Sequence, residues 1–184
     1  MVRISVARRK LKAPALYEWA LGALARRSHT LAEMDAKIRQ RCADEGDVDV
    51  VIGRLRAHGY LDDARVAESH SAIRRDQGSL GRRRVLRELK RRGIEESIAE
   101  NAISHAYRDC DESAMAREFL RRKMRARPGR ARIREPRQLA RLFRALARAG
   151  FESDAIADAL REVAEDSELL ESLLESASSS DTAD

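Results

Sequence analysis

The chain is poor in most of what folds other than helical ones require. Of 184 residues only 4% are aromatic, three are proline, nine are glycine and two are cysteine. So few prolines and glycines exclude a turn-rich β protein, which needs turn residues at short, regular intervals. Scarce aromatics beside 37% charged residues leave little for one large globular interior. Cys42 and Cys110 lie far apart and form no metal or redox motif, which fits a reducing cytosol. The longest uncharged apolar run near the start, Trp19–Ala25, is far too short to span a membrane, and Arg26 and Arg27 close it. No small-residue cleavage site follows it. A cytoplasmic protein with no membrane partner is expected.

The residues that are plentiful, Ala, Leu, Arg and Glu, are good helix formers. An elongated all-α protein of small packed units is the natural expectation. The formal charge of +6 hides a strong polarity. After Arg161 there is no basic residue but there are eight acids, from Glu162 to Asp184. Residues 1–161 therefore carry all 37 basic residues and 23 of the 31 acids, a net +14. A basic body with an acidic end is typical of proteins that handle polyanions or basic grooves.

The most informative stretch is Gly81–Gly93, GRRRVLRELKRRG. At about 100° per residue Val85, Leu86 and Leu89 share one helix face. Arg83, Arg84, Arg87, Lys90 and Arg91 spread over the opposite face, with Arg82 and Arg92 on the flanks and Glu88 alone offsetting them. Three arginines in the first turn oppose the positive end of the helix dipole, so stability alone would not choose them. An anionic partner, nucleic acid first, is the functional reading; a solvated charged face is the plain alternative.

Taken in order, residues 1–13 read as a loosely ordered basic arm. Pro14 opens a first helix, Thr30 and Glu33 make a capping box for a second, and a third ends at Gly59. Asp62 caps the next helix, Gly93 ends the basic one, and another follows Ile94. A further set begins near Ser113. It is interrupted between Arg121 and Arg137, where nine basic residues and Pro128-Gly129 indicate a loop, and it runs on through Leu139–Leu160.

Aligning Cys42, Gly93 and Gly150 brings apolar residues into five shared columns without a gap: Met34/Val85/Leu142, Ile38/Leu89/Leu146, Ala43/Ile94/Phe151, Val48/Ala99/Ile156 and Ile52/Ile103/Leu160. That predicts three tandem three-helix, helix-turn-helix-like repeats, at residues 14–61, 62–110 (basic helix 82–92) and 111–164, followed by a disordered acidic tail at 165–184.

Four segments carry a family resemblance: RRSHTLAEMDAKI (Arg26–Ile38), GYLDDARVAES (Gly59–Ser69), GRRRVLRELKRRGI (Gly81–Ile94) and RAGFESDAIADAL (Arg148–Leu160). In order and spacing, over about residues 15–161, they resemble the RecX regulatory proteins. The resemblance implies three helical repeats in an elongated, curved array. It also implies a regulator of homologous recombination and the SOS response; a monomer is expected, and the lack of an acid, base or nucleophile constellation points away from an enzyme. Such a regulator binds the RecA nucleoprotein filament along its groove and inhibits ATPase, strand exchange and co-protease activity, and some similar proteins bind single- or double-stranded DNA. The chain departs from the family pattern at Cys42, where a turn glycine is usual, at Val66, where phenylalanine is usual, and at Arg82, where proline often opens the basic helix.

The expected contact is Arg83, Arg84, Arg87, Lys90 and Arg91, with Arg121, Arg122, Lys123 and Arg125 as a second patch and Arg26 and Arg27 beside the first repeat. His29, His58, His70 and His105 are scattered without ligand spacing, so neither metal nor catalysis is expected, and His29 reads as structural. Gly78-Ser79-Leu80-Gly81 lacks the lysine and preceding strand of a phosphate loop, and no cofactor is expected. Tyr17 and Trp19 read as packing residues, since base stacking would want aromatics among the basic residues. A DNA-binding protein built from tandem helix-turn-helix units is the alternative. The absence of Asn and Gln from the outer face of 82–92 counts against base reading.

Overall fold

The apolar spacing and the caps resolve into ten helices among the described residues: α1 Ala13–Arg26, α2 Leu31–Arg39, α3 Gly46–Ala57, α4 Asp63–Asp76, α5 Arg82–Arg91, α6 Glu96–Ala106, α7 Glu112–Arg125, α8 Pro136–Ala149, α9 Ser153–Arg161 and α10 Ser167–Asp181. The computed structural model describes residues 10–78, 80–125 and 133–181, with backbone alone for 125 and 177–181. Most of the basic arm, the Pro128-Gly129 segment and the last three residues lie outside the described residues. The fold is all-α. Its only extended pairings among the described residues are two isolated parallel bridges.

The caps are those the local sequence dictates. Pro14 and Pro136 sit in the first turns of α1 and α8, where a missing N–H costs nothing. Thr30 Oγ1 accepts the Glu33 N–H at 3.1 Å, and the Glu33 carboxylate accepts the Thr30 N–H, completing the capping box. Asp62 accepts the Arg65 N–H at 2.9 Å at the start of α4. Gly150 ends α8 at φ 85°, a left-handed conformation that strains any residue with a Cβ.

The chain divides into two compact units. One is the described part of Met1–His70 with Glu88–Ala102; the other is Ser71–Arg87 with the described part of Ile103–Asp184. The basic helix α5 is thus shared, its first six residues with the second unit and its last four with the first. In the first unit Leu16, Met34, Ile38, Val48, Val51 and Leu55 form a core between α1, α2 and α3. In the second, Leu120, Leu139, Leu146, Ile156 and Leu160 form a core around α7, α8 and α9, with the Phe119 and Phe151 rings edge-on at 5.7 Å.

Three of the five sequence columns are buried throughout: Met34/Val85/Leu142, Ile38/Leu89/Leu146 and Val48/Ala99/Ile156. The other two are incomplete in the first repeat, where Ile52 is half-buried but packs against the core, and Ala43 alone is exposed. The cause is local. The backbone of Cys42 pairs with Leu11, the Leu11 N–H reaching Arg41 O at 2.7 Å and the Ala43 N–H reaching Leu11 O at 2.8 Å. The chain beyond α2 is therefore held extended, and Ala43 lies outside the core.

The second bridge corrects the reading of the C-terminus. Ile133 pairs with Ala164, and both residues stand 122 positions beyond Leu11 and Cys42. The same offset relates Pro14 to Pro136, Met34 to Ile156, Ile38 to Leu160 and Val48 to Leu170. Helices α8, α9 and α10 therefore repeat the pattern of α1, α2 and α3. The tail expected to be disordered supplies the third helix of that set. Leu170 is 2% exposed, and Leu169, Leu173 and Leu174 pack against the same core. Glu168, Glu171 and Ser172 face outwards, so an amphipathic helix had the composition of a solvated tail.

Candidate interaction surface

The basic helix is positioned by two neighbours, one near each end. At its N-terminus the Gly81 N–H donates to Ala149 O at 2.9 Å and the Arg83 N–H to Gly150 O at 3.1 Å. A Cβ on Gly150 would lie 2.1 Å from Arg84 N, so α5 and the end of α8 meet only through a glycine. The three arginines that oppose the helix dipole are offset from outside the helix. Glu112, at the start of α7, accepts the Arg82 N–H at 3.3 Å and pairs with the Arg82 guanidinium at 3.4 Å. Burial pushes its carboxyl above the usual range, against the pull of backbone N–H groups from Arg82 and Glu152.

Near the C-terminus, in the first unit, the hydroxyl of Thr30 donates to Arg92 O at 2.6 Å and the Arg92 guanidinium binds the Glu33 carboxylate, Nε to Oε1 at 2.9 Å. Burial raises the Glu33 carboxyl, but the hydrogen bond and charge of Arg92, the Thr30 N–H and Arg27 outweigh it and hold the group below its usual value. His29 is 4% exposed and meets Glu33 at 3.3 Å. Burial and the nearby Arg27 hold its imidazole below the usual range, so it stays neutral at pH 7. Its structural reading stands on that burial.

The basic residues of this stretch therefore separate by role. Arg82 and Arg92, on the flanks of the apolar face, are internal ties; Arg82 also donates to Tyr107 O at 2.7 Å and lies over the Tyr107 ring. Burial pushes the Tyr107 phenol up to about 12, and its hydroxyl donates to Leu80 O at 3.2 Å. Arg83 is exposed but pairs with Glu152 at 2.8 Å, and Lys90 pairs with Glu96 at 2.7 Å. Arg84 is half-buried against Gly150. Arg87 and Arg91 are exposed and make no ion pair among the described residues. Glu88, the one acid of the helix, is half-buried and meets His70 at 3.0 Å.

The remaining predicted contacts whose side chains are described are exposed, most of them with a partner. Arg27 pairs with Glu33 at 3.4 Å, while Arg26 is exposed in the last turn of α1. Arg121 and Arg122 share Glu118 at 3.1 and 3.0 Å, and Lys123 lies over the Phe119 ring at 5.5 Å. The side chain of Arg125 lies outside the described residues. Tyr17 and Trp19, read as packing residues, do carry cations on their faces: Arg54 at 4.1 Å and Arg41 at 4.6 Å. Outside the predicted contacts, Arg137, Arg141, Arg144 and Arg148 of α8 are also exposed, at a helical spacing visible in the sequence.

The first unit also holds a recess of about 460 Å³, lined by Leu21, Leu24, His29, Tyr60, Arg65 and Val66 among others. The short Val66 side chain lines it where the family resemblance expects phenylalanine. Among the described residues no cluster of His, Cys, Asp or Glu could hold a metal ion, and no helix is long and apolar enough to cross a membrane.

The described residues form an all-α chain of short packed helices with arginines on the outer faces of α5 and α8. Comparison with known proteins gives it a family. Residues 62–103 match the model described as RecX, second three-helix domain. The chain is 35% identical to the regulatory protein RecX of Deinococcus radiodurans over 151 residues, covering 82% of this chain and 69% of that one. It is 33% identical to that of Halorhodospira halophila over 156 residues, covering 84% and 91%. The fold resembles the crystal structure of RecX from Lactobacillus salivarius with a TM-score of 0.68 at 19% identity, covering 82% of this chain and 96% of that one. The chain belongs to the RecX family of regulatory proteins.

Proposed function

We propose that this protein binds the RecA nucleoprotein filament along its groove and inhibits the filament's ATPase, strand exchange and co-protease activity. It would act in the cytoplasm as a monomer, in control of homologous recombination and the SOS response. Family membership supports the partner. The observation that carries the choice of surface is the pair Arg87 and Arg91, exposed and without an ion-pair partner among the described residues on the outer face of α5. No aromatic residue accompanies them on that helix, which favours charged protein or backbone contacts over base reading.

Co-sedimentation with filaments assembled on single-stranded DNA tests the assignment. Arg87→Gln with Arg91→Gln should weaken capture about tenfold and flatten its salt dependence, because exposed interfacial charges act mainly through long-range attraction. Unchanged capture would remove α5 from the interface. A loss confined to bare DNA would favour the alternative, a DNA-binding protein of tandem helix-turn-helix units.

A further inference from the structure

The outer face of α8 is a second cationic surface. Arg137, Arg141, Arg144 and Arg148 recur at intervals of four, three and four residues. At about 100° per residue they fall within about 60° of arc, and at about 1.5 Å per residue they form a row about 16 Å long. All four are exposed, and none has an ion pair or hydrogen bond among the described residues. The helix cannot turn them elsewhere. Leu139, Leu142 and Leu146 on its other face are buried in the second unit's core. Its C-terminus is tied by the Gly81 and Arg83 N–H groups, and the Ile133–Ala164 bridge anchors the chain just before it.

Internal structure gives no reason for this row. Like charges at i,i+3 and i,i+4 repel and destabilise an isolated helix, and Arg137 in the first turn opposes the dipole. No acid lies between Arg137 and Arg148. We infer that the row is a binding site for the phosphodiester backbone of nucleic acid, distinct from the α5 face. The planar fork of arginine fits phosphate and carboxylate oxygens alike, two at a time. What favours a phosphate chain over an acidic protein surface is the rest of the face. The row offers no exposed aromatic or large aliphatic side chain, whereas protein interfaces concentrate their energy in buried apolar anchors. Phosphates of one strand advance about 3.4 Å per nucleotide along a duplex, so a row this long lets each arginine meet a separate phosphate.

Fluorescence anisotropy of the full chain tests this with labelled oligo-dT and a mixed-sequence duplex, over about 50 to 200 mM salt. Replacing all four arginines with glutamine should make the slope of log affinity against log salt shallower by about 3 on the single strand or about 4 on the duplex. The preferred form is the one on which the change reaches its full expected value. Arg141→Gln with Arg144→Gln alone should give about half that change, so the proposal stays testable if the fourfold variant folds poorly. Four lysines should restore the slope, because the site neutralises charge. The proposal is overturned if folded glutamine variants keep the parental slope on both nucleic acids. It is equally overturned if they lose only filament capture, which would make the row a protein contact. The inference does not depend on the filament reading.

Discussion

One added methyl group at Gly150 should cost the protein ~2–5 kcal/mol. Gly150 has φ 85°, and an L residue held in the left-handed region costs about 1–2 kcal/mol. The new Cβ would lie 2.1 Å from Arg84 N and 2.4 Å from Arg84 Cβ. Neither atom belongs to a flexible side-chain end. Both sit in the first turn of α5, which is pinned by the Arg83 N–H on Gly150 O and the Arg84 N–H on Gly81 O. Relief therefore requires moving a helix, and overpacking of this kind adds about 1–3 kcal/mol. At about 2–4 °C per kcal/mol for a chain of this length, Gly150→Ala should lower the midpoint of thermal unfolding by about 4–20 °C. Gly53→Ala is the matched control. Gly53 lies within α3 with nothing within 4 Å of an added Cβ, so the same substitution should stabilise by about 0.5–1 kcal/mol. Thermal unfolding followed by far-UV circular dichroism reads both. Equal shifts in the two variants would refute the claim that the start of α5 is seated against the end of α8.

Two further outcomes follow from the cores. Leu170→Ala should cost about 2–4 kcal/mol by leaving a cavity under α10, measurable by urea unfolding; no loss would return the C-terminal segment to a solvated tail. Acidification should weaken the first unit in two stages. His29 has a folded pKa below its unfolded value of 6.5, so stability falls as pH drops below 6.5. Glu33 has a folded pKa below 4.5, so its contribution is present above 4.5 and is lost as pH falls through the folded value. Glu112, raised above 4.5, works in the opposite sense: the second unit gains stability from it as pH falls through the raised value. His29→Leu should flatten the first stage in a plot of unfolding midpoint against pH. If that variant kept the first stage, His29 would not be its source.

Helix existence was largely legible because each signal is local. Pro14, the Thr30/Glu33 box, Asp62, Gly93 and Gly150 act within one turn of their own positions, and the apolar period places Val85 and Leu89 inwards. The roles of the cations were not legible to the same degree. Arg82 and Arg92 look like part of the basic face by composition, but their partners Glu112 and Glu33 lie 30 and 59 residues away. Only folding brings them together. The tail was misread because Leu169, Leu170, Leu173 and Leu174 stand among acids and serines, and composition outweighed a short apolar period. The row on α8 was legible. Its four-three-four spacing lies opposite the apolar stripe of Leu139, Leu142 and Leu146 and carries the same helical period.

The most direct test of the regulatory reading is the single-stranded-DNA-dependent ATPase of the cognate RecA filament, titrated with this protein at fixed salt. Inhibition by the parent chain, relieved in the Arg87→Gln, Arg91→Gln variant, is the predicted result. An ATPase unaffected by saturating protein, alongside tight binding to bare DNA, would contradict it and leave a DNA-binding protein that shares the family's fold.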